Sequence, residues 1–271
     1  MLGLWILPIS MAAGFLGSLL GLGGGIIIVP TLTLLFGVDI RYAIAASLIS
    51  VVATSSGAAA SYLKDHLTNL RVAVFLEMGT VVGAVIGFVL ASRIHAQALF
   101  ILFGFFLLFS ALMMLRKREE HGSVINHPWA DKLRLDSSYP GPKGEPIAYK
   151  VAMVPFALVV MLAAGILSAL LGIGSGIFKV LAMDSAMKLP IKVSSATSNF
   201  MIGVTAAGSA LAYFLRGDVR PEIAAPVAVG IIAGSFLGAK VMSRIPAVRL
   251  RQIFVVVLSI VSIQMIWKGW R

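Results

Sequence analysis

Long apolar stretches alternate with short polar and charged clusters along this chain. The stretches are rich in Ala, Leu, Gly and Met and lack the period-2 alternation of strands, which argues for helices over a barrel. A run of about 20 such residues is what a helix needs to cross about 30 Å of hydrocarbon. The pattern predicts helices over 3–36 (interrupted), 42–63, 70–91 and 97–115, then 151–187 (interrupted), 193–215, 222–242 and 249–268. From Arg116 to Lys150, mixed charges surround Tyr139-Pro-Gly-Pro-Lys-Gly-Glu-Pro146, a segment that cannot continue a helix. The expected fold is an all-α integral membrane protein of about eight transmembrane helices. Residues 1–115 form a first transmembrane repeat, 116–150 a polar inter-repeat linker, and 151–271 a second repeat. Met1 to Ile9 carries no basic residue and runs straight into apolar sequence, so it reads as the start of a first span instead of a cleaved signal.

The two groups of spans are copies of one another. Gly14-Phe-Leu-Gly-Ser-Leu-Leu-Gly21-Leu-Gly23-Gly-Gly25-Ile26 aligns with Gly165-Ile-Leu-Ser-Ala-Leu-Leu-Gly172-Ile-Gly174-Ser-Gly176-Ile177, an offset of 151 from Gly14 to Gly165. The same offset then pairs Ser47 with Ser198, Thr54 with Thr205, Tyr62 with Tyr213 and Ser92-Arg93-Ile94 with Ser243-Arg244-Ile245, without a gap. Duplicated halves are the common construction of secondary transporters, since a site between two similar halves can be opened to either side in turn.

The glycine clusters are the candidate site. A straight helix over 3–36 would reach about 50 Å, well beyond the bilayer, so it must tilt strongly or break. Gly21-Leu-Gly-Gly-Gly25 and Gly172-Ile-Gly-Ser-Gly176 are the favoured breakpoints, because glycine weakens a helix and tolerates positive φ. Backbone groups freed there cannot face lipid and must be buried or line a watery cavity. The segments that follow, Gly23, Gly24, Gly25 and Ile26 in one half and Gly174, Ser175, Gly176 and Ile177 in the other, begin half-helices whose unpaired amides suit an anion. Lys179, paired by the offset with Ile28, is an ionisable group at depth and so a functional candidate. Ser47, Ser198 and Asn199 lie on polar faces of the next spans, with Ser50, Thr54, Ser194 and Thr205 beside them, as donors to an oxyanion or as bonds between helices. Glu77 is a candidate for carrying a coupling proton or pairing with Lys179. Gly79, Gly83 and Gly87, matched by Gly230, Gly234 and Gly238, form small-residue ladders that read as helix packing.

Composition narrows the function classes. Of 271 residues, 59% are hydrophobic and 12% charged, far from the mix of a soluble domain. The net charge of +11 does not mark a nucleic-acid binder, because the basic residues sit at the ends of the apolar runs instead of on one stripe. There is no cysteine, and the four histidines lie in loops or at span ends without ligand spacing, so no metal centre is expected. The glycine clusters lack the spacing of nucleotide loops, so no cofactor is expected either. Basic residues concentrate in the linker, which places it in the cytoplasm, and Lys64, Arg71, Arg216 and Arg220 join it if every span crosses once. That count leaves Arg244, Arg249 and Arg251 on the opposite side.

The paired clusters, Gly-Leu-Gly-Gly-Gly-Ile-Ile-Ile-Val-Pro30 and Gly-Ile-Gly-Ser-Gly-Ile-Phe-Lys179, each opening a four-span half, resemble those of the TauE/SafE sulfite exporter family over nearly the whole chain. The resemblance implies a multi-span permease of the bacterial cytoplasmic membrane, not an enzyme, that moves sulfite, sulfonates or related sulfur-containing organic anions. It departs from a strict repeat at Lys179 and at Leu181, which stands where the first half has Pro30. Export powered by the proton gradient is the mode expected by analogy. The partners are then a small anionic substrate and the lipid bilayer, with assembly as a homo-oligomer left open. The alternatives are a passive anion channel, told apart by flux that never accumulates substrate, or a permease for an unrelated small metabolite. A membrane enzyme would need a nucleophile-base or metal constellation, and none is visible.

Overall fold

The apolar stretches fold as helices close to their expected limits in a computed structural model, which describes residues 2–20, 25–115, 128–141, 145–242 and 247–271. The first half comprises α1 (Leu2–Leu20), α2 (Gly25–Pro30), α3 (Ile40–Lys64), α4 (Leu70–Arg93) and α5 (Ala96–Leu115). The second comprises α7 (Val154–Leu171), α8 (Gly176–Leu181), α9 (Ile191–Arg216), α10 (Pro221–Met242) and α11 (Ala247–Trp270). Both short helices run on into a π-helical turn, Thr31–Leu35 after α2 and Ala182–Ala186 after α8, which are again 151 residues apart. Four helices, Leu70–Arg93, Ala96–Met113, Val154–Leu171 and Lys192–Arg216, are long and apolar enough to cross a membrane by length and composition. Their outward faces carry exposed Val74, Met78, Val81, Val85, Phe156, Val159, Leu211 and Phe214. So continuous an apolar surface is at home in lipid, not in water.

Each half packs mainly against the other. The chief pairings are α1 with α10, α4 with α7, α5 with α11 and α3 with α9, so the first span of one half lies on the third span of the other. The glycine ladders make the close approaches. Gly79, Gly83 and Gly87 face Leu158, Leu162 and Ile166 of α7, and Gly230 and Gly234 face Leu7, Met11 and Phe15 of α1. A Cβ at Gly83 would stand 2.0 Å from the Leu162 carbonyl oxygen, and one at Gly234 1.9 Å from that of Met11. The small-residue stripes therefore bring backbones together as small-xxx-small motifs do.

These contacts also fix helix directions. Residue numbers rise together along α4 and α7 and along α1 and α10, so each pair is parallel, whereas Gly104 against Ser262 and Gly269 against Gln97 make α5 and α11 antiparallel. The interrupted spans are hairpins. Ala152, just before α7, donates its amide to the Met187 carbonyl at 3.0 Å, so the chain has turned back to where it started by the end of the second π turn. In the first half, Arg220 at the start of α10 reaches the Tyr42 hydroxyl and Arg41 reaches the Ile94 carbonyl. This puts the start of α3 at the same end of the bundle as the start of α1, which runs parallel to α10. The expectation that each interrupted span crosses once is corrected accordingly. The second glycine cluster, Gly172 to Gly176, reverses the chain instead of kinking it, and each half then has its remaining three helices running opposite to their counterparts in the other.

Among its described residues the polar linker carries local structure of its own. It forms α6 (Pro128–Lys132) and an antiparallel pair, β1 (Ser137–Pro140) with β2 (Pro146–Tyr149), in register Ser137 to Tyr149. Ala130 and Leu135 are buried with Val72, Leu76, Val151 and Met187 in a small core at this end of the bundle. Asn69 ties it down. Its side chain accepts from the Val72 amide at 3.1 Å, capping α4. It also donates to the Leu135 carbonyl and the Tyr149 hydroxyl, each at 2.8 Å. Burial pushes the Tyr149 phenol above its ordinary value of 10.0, against the opposing hydrogen bond from Asn69.

Candidate functional site

The second hairpin turns because three of four successive positions adopt the left-handed region. Gly172 caps α7 at φ +71°, Gly174 follows at +68°, and Ser175 takes the same region at +52°. A glycine is at ease there, and the serine is not. Ser175 is fully buried and its hydroxyl has no hydrogen-bond partner among the described residues. The Lys179 amide bonds the Ser175 carbonyl at 3.2 Å in the first turn of α8. Ile177 belongs to this turn of α8, and its side chain lies outside the description, as do Gly23 and Gly24 altogether.

The two hairpin turns touch. A Cβ at Gly25 would stand 2.8 Å from Ser47 Oγ and 2.9 Å from the Gly172 carbonyl oxygen, so nothing larger than glycine fits where the first half meets the second. Ser47 donates to the Gly172 carbonyl at 2.6 Å and stands 3.3 Å from that of Gly25. Its counterpart Ser198 donates to the Gly176 carbonyl at the same 3.3 Å. Each hydroxyl thus ties the start of a half-helix to the span that follows. Asn199 donates to Ser195 on its own helix. Ile26 is buried beside the first turn.

One turn into α8, Lys179 is wholly enclosed, at 0% exposure. Its ammonium lies 3.4 Å from Glu77 Oε2 on α4 and 2.5 Å from Thr205 Oγ1 on α9. The Thr205 hydroxyl in turn bonds Glu77 Oε1. Three helices therefore converge on one ion pair roughly 10 Å along α4 from its start, given a rise of 1.5 Å per residue. Bringing two charges out of water costs several kcal/mol per ion, which only good geometry and added hydrogen bonds offset. The repeat offset places Ile28, Ala228 and Thr54 at the corresponding positions, so the symmetry-related place between the halves has no such pair. Thr205 was visible in the sequence only as one member of a polar face, and the signal for its role was its alignment with Thr54 beside an unmatched lysine.

A cavity of about 130 Å³ lies apart from this cluster, between α2 with its π turn and α11. Its walls are Ile26, Pro30, Leu34, Leu258 and Val261, with Thr31 and Gln264 as the polar groups. Thr31 already bonds the Ile27 carbonyl, so this lining offers an anion little.

Comparison with known proteins agrees with the membrane character. The model of the family described as Sulfite exporter TauE/SafE matches residues 6–265. The chain is 27% identical to the probable membrane transporter protein YunE of Bacillus subtilis, over 97% of each chain. It is 26% identical to the probable membrane transporter protein YdhB of the same organism, over 91% of this chain and 93% of that one. A probable membrane transporter protein of Methanocaldococcus jannaschii is 29% identical over 97% of this chain and 96% of its own. No solved structure matches.

Proposed function

The chain belongs to the sulfite exporter TauE/SafE family, and from that premise we propose that it is a secondary transporter moving sulfite, a sulfonate or a related sulfur-containing anion outward across the cytoplasmic membrane. The family and its relatives make it a membrane transporter; the anion, the direction and the site are our reading. The observation that carries the site is the meeting of two glycine hairpins at Gly25 and Gly172 beside a fully buried cation, Lys179. Turned-back helices contribute free amides in the interior, and Lys179 contributes the charge that a desolvated anion requires. In this reading Gly174, Ser175, Gly176 and the first turn of α8 face the anion, and the unpartnered Ser175 hydroxyl donates to it.

The same hairpins give the membrane arrangement we propose: two inverted repeats, each of one re-entrant hairpin followed by three crossings. Lys64, Arg71, Lys132, Arg134, Lys150, Lys188, Lys192, Arg249 and Arg251 then gather at one end. Only Arg41, Arg93, Arg216, Arg220, Lys268 and Arg271 stand at the other. This asymmetry supports a cytoplasmic linker without the exceptions that single crossings leave.

The test is transport into proteoliposomes with a panel of sulfite, sulfoacetate, taurine and sulfate. We expect saturable flux of at least one sulfur anion, lost in Lys179→Ala and Gly174→Leu. No saturable flux, or rates unchanged in both variants, refutes the assignment, and flux that never concentrates substrate points to a channel.

A further inference from the structure

The transporter reading uses the cation of the buried pair and leaves the carboxylate without a task. From the geometry around it we infer that Glu77 is a proton carrier: an anion takes its place on Lys179 when Glu77 has taken up a proton, so a proton travels with each negative charge. The inference rests on the transporter reading and deepens it.

Two of the three donor positions of the Lys179 ammonium already point at Glu77 Oε2 and Thr205 Oγ1. An anion arriving there would set two negative charges against one positive charge in a place closed to solvent. A net buried charge is what such an interior resists most. Protonating the carboxylate removes the excess. A proton from the side then open joins a Glu77 oxygen to give the neutral acid, the ammonium is left to the anion, and both leave together on the other side.

Thr205 is arranged for both states. Its oxygen lies within hydrogen-bond distance of Glu77 Oε1 and, at 2.9 Å, of the Met201 carbonyl, yet a hydroxyl has one proton to give. Facing a carboxylate, Thr205 donates to Glu77. Facing a carboxylic acid, it turns its proton to the Met201 carbonyl and accepts the proton of Glu77. No polar atom is stranded by the change. Among the described residues the matching Thr54 bonds the Ser50 and Val51 carbonyls of its own helix, and the other corresponding positions are Ile28 and Ala228, so the symmetry-related place packs without the pair.

The other titratable groups on the packed elements are few. α7 has none, and α4 has Arg71, which donates to the Arg134 carbonyl, and Arg93 at its far end. α9 has Lys192 near its start and Tyr213 and Arg216 near its end. The π turn after α8 has Asp184, itself engaged. Outward movement then draws on the gradient of the anion itself, a departure from the proton-driven export expected by analogy.

The experiment is paired flux in proteoliposomes, with methanesulfonate as probe because its charge is constant across the range, labelled for anion flux and read against a trapped pH dye. We expect wild-type protein to move about one proton per sulfonate and its apparent affinity for sulfonate to fall by up to about tenfold per unit of rising pH. Glu77→Gln keeps sulfonate flux but loses proton movement at least about tenfold and becomes insensitive to pH. Sulfonate flux in Glu77→Gln that still carries a proton overturns the inference and leaves the transporter reading standing. Should Glu77→Gln not fold, sulfonate-induced thermal stabilisation of the wild type is followed from about pH 6 to about pH 9, and a stabilisation that does not decline overturns it equally. Wild-type protein that moves no anion of the panel removes both.

Discussion

Gly83→Ala tests the close approach between the halves. A Cβ there would meet the Leu162 carbonyl oxygen at 2.0 Å, with Leu162 C at 2.9 Å and the Ile166 amide nitrogen at 3.0 Å, all of them backbone. A carbon and a carbonyl oxygen rest no closer than about 3.3 Å, so α4 and α7 must part by about 1.3 Å. Overpacking of this kind costs about 1–3 kcal/mol, against at most about 1 kcal/mol gained from better helix propensity. A net loss of about 1–2 kcal/mol lowers Tm by about 2–8 °C in a chain of this size. Gly208, on α9, has nothing within 4 Å of its would-be Cβ, so Gly208→Ala keeps or slightly raises Tm. The assay is thermal unfolding of purified protein in one detergent at one scan rate, followed by tryptophan fluorescence. Equal melting of Gly83→Ala and wild type, or equal losses in both variants, would refute the packing described between the halves.

Lys179→Met leaves Glu77 buried without its partner and should destabilise by about 3 kcal/mol, while the double change with Glu77→Gln recovers most of that in chemical denaturation and still fails to transport. Ser47→Ala removes the hydroxyl that links the two hairpins and should cost about 1 kcal/mol or more in the same unfolding measurement, since the Gly172 carbonyl is left without it. Asn69→Ala frees the linker from α4 and should speed tryptic cleavage between 128 and 150 several-fold, read on a gel. Tyr149 keeps its proton better when folded, so its contribution to linker docking is complete below about pH 10 and is lost as pH rises further. Tyrosinate absorbance should show late-titrating phenol, and Tyr149→Phe should reduce that component by one tyrosine.

The membrane character, the helix limits and the duplication were legible because each is a local or periodic property: apolar runs, polar gaps, a constant offset of 151. The direction of the chain after Gly25 and Gly174 was not. A glycine cluster permits a kink or a reversal equally, and what decides is that α7 lies along α4 and α1 along α10, pairings between segments far apart in sequence. The strands of the linker are only four residues long, too short to show a pattern. Lys179 and Glu77 could each be singled out as costly charges at depth, but their meeting, across 102 residues, depends on the hairpin lowering α8 beside α4. Ser47 and Ser198 were legible as a symmetric pair, and their common bond to a hairpin carbonyl shows what the symmetry holds in place.

In the arrangement we propose, the turned-back hairpins leave each half with three crossings, so the two halves would enter the bilayer upside down with respect to one another. A single chain need not treat its two halves alike, and Lys179 facing Glu77, with Ile28 and Ala228 at the related positions, is an inequality that two identical subunits could not hold.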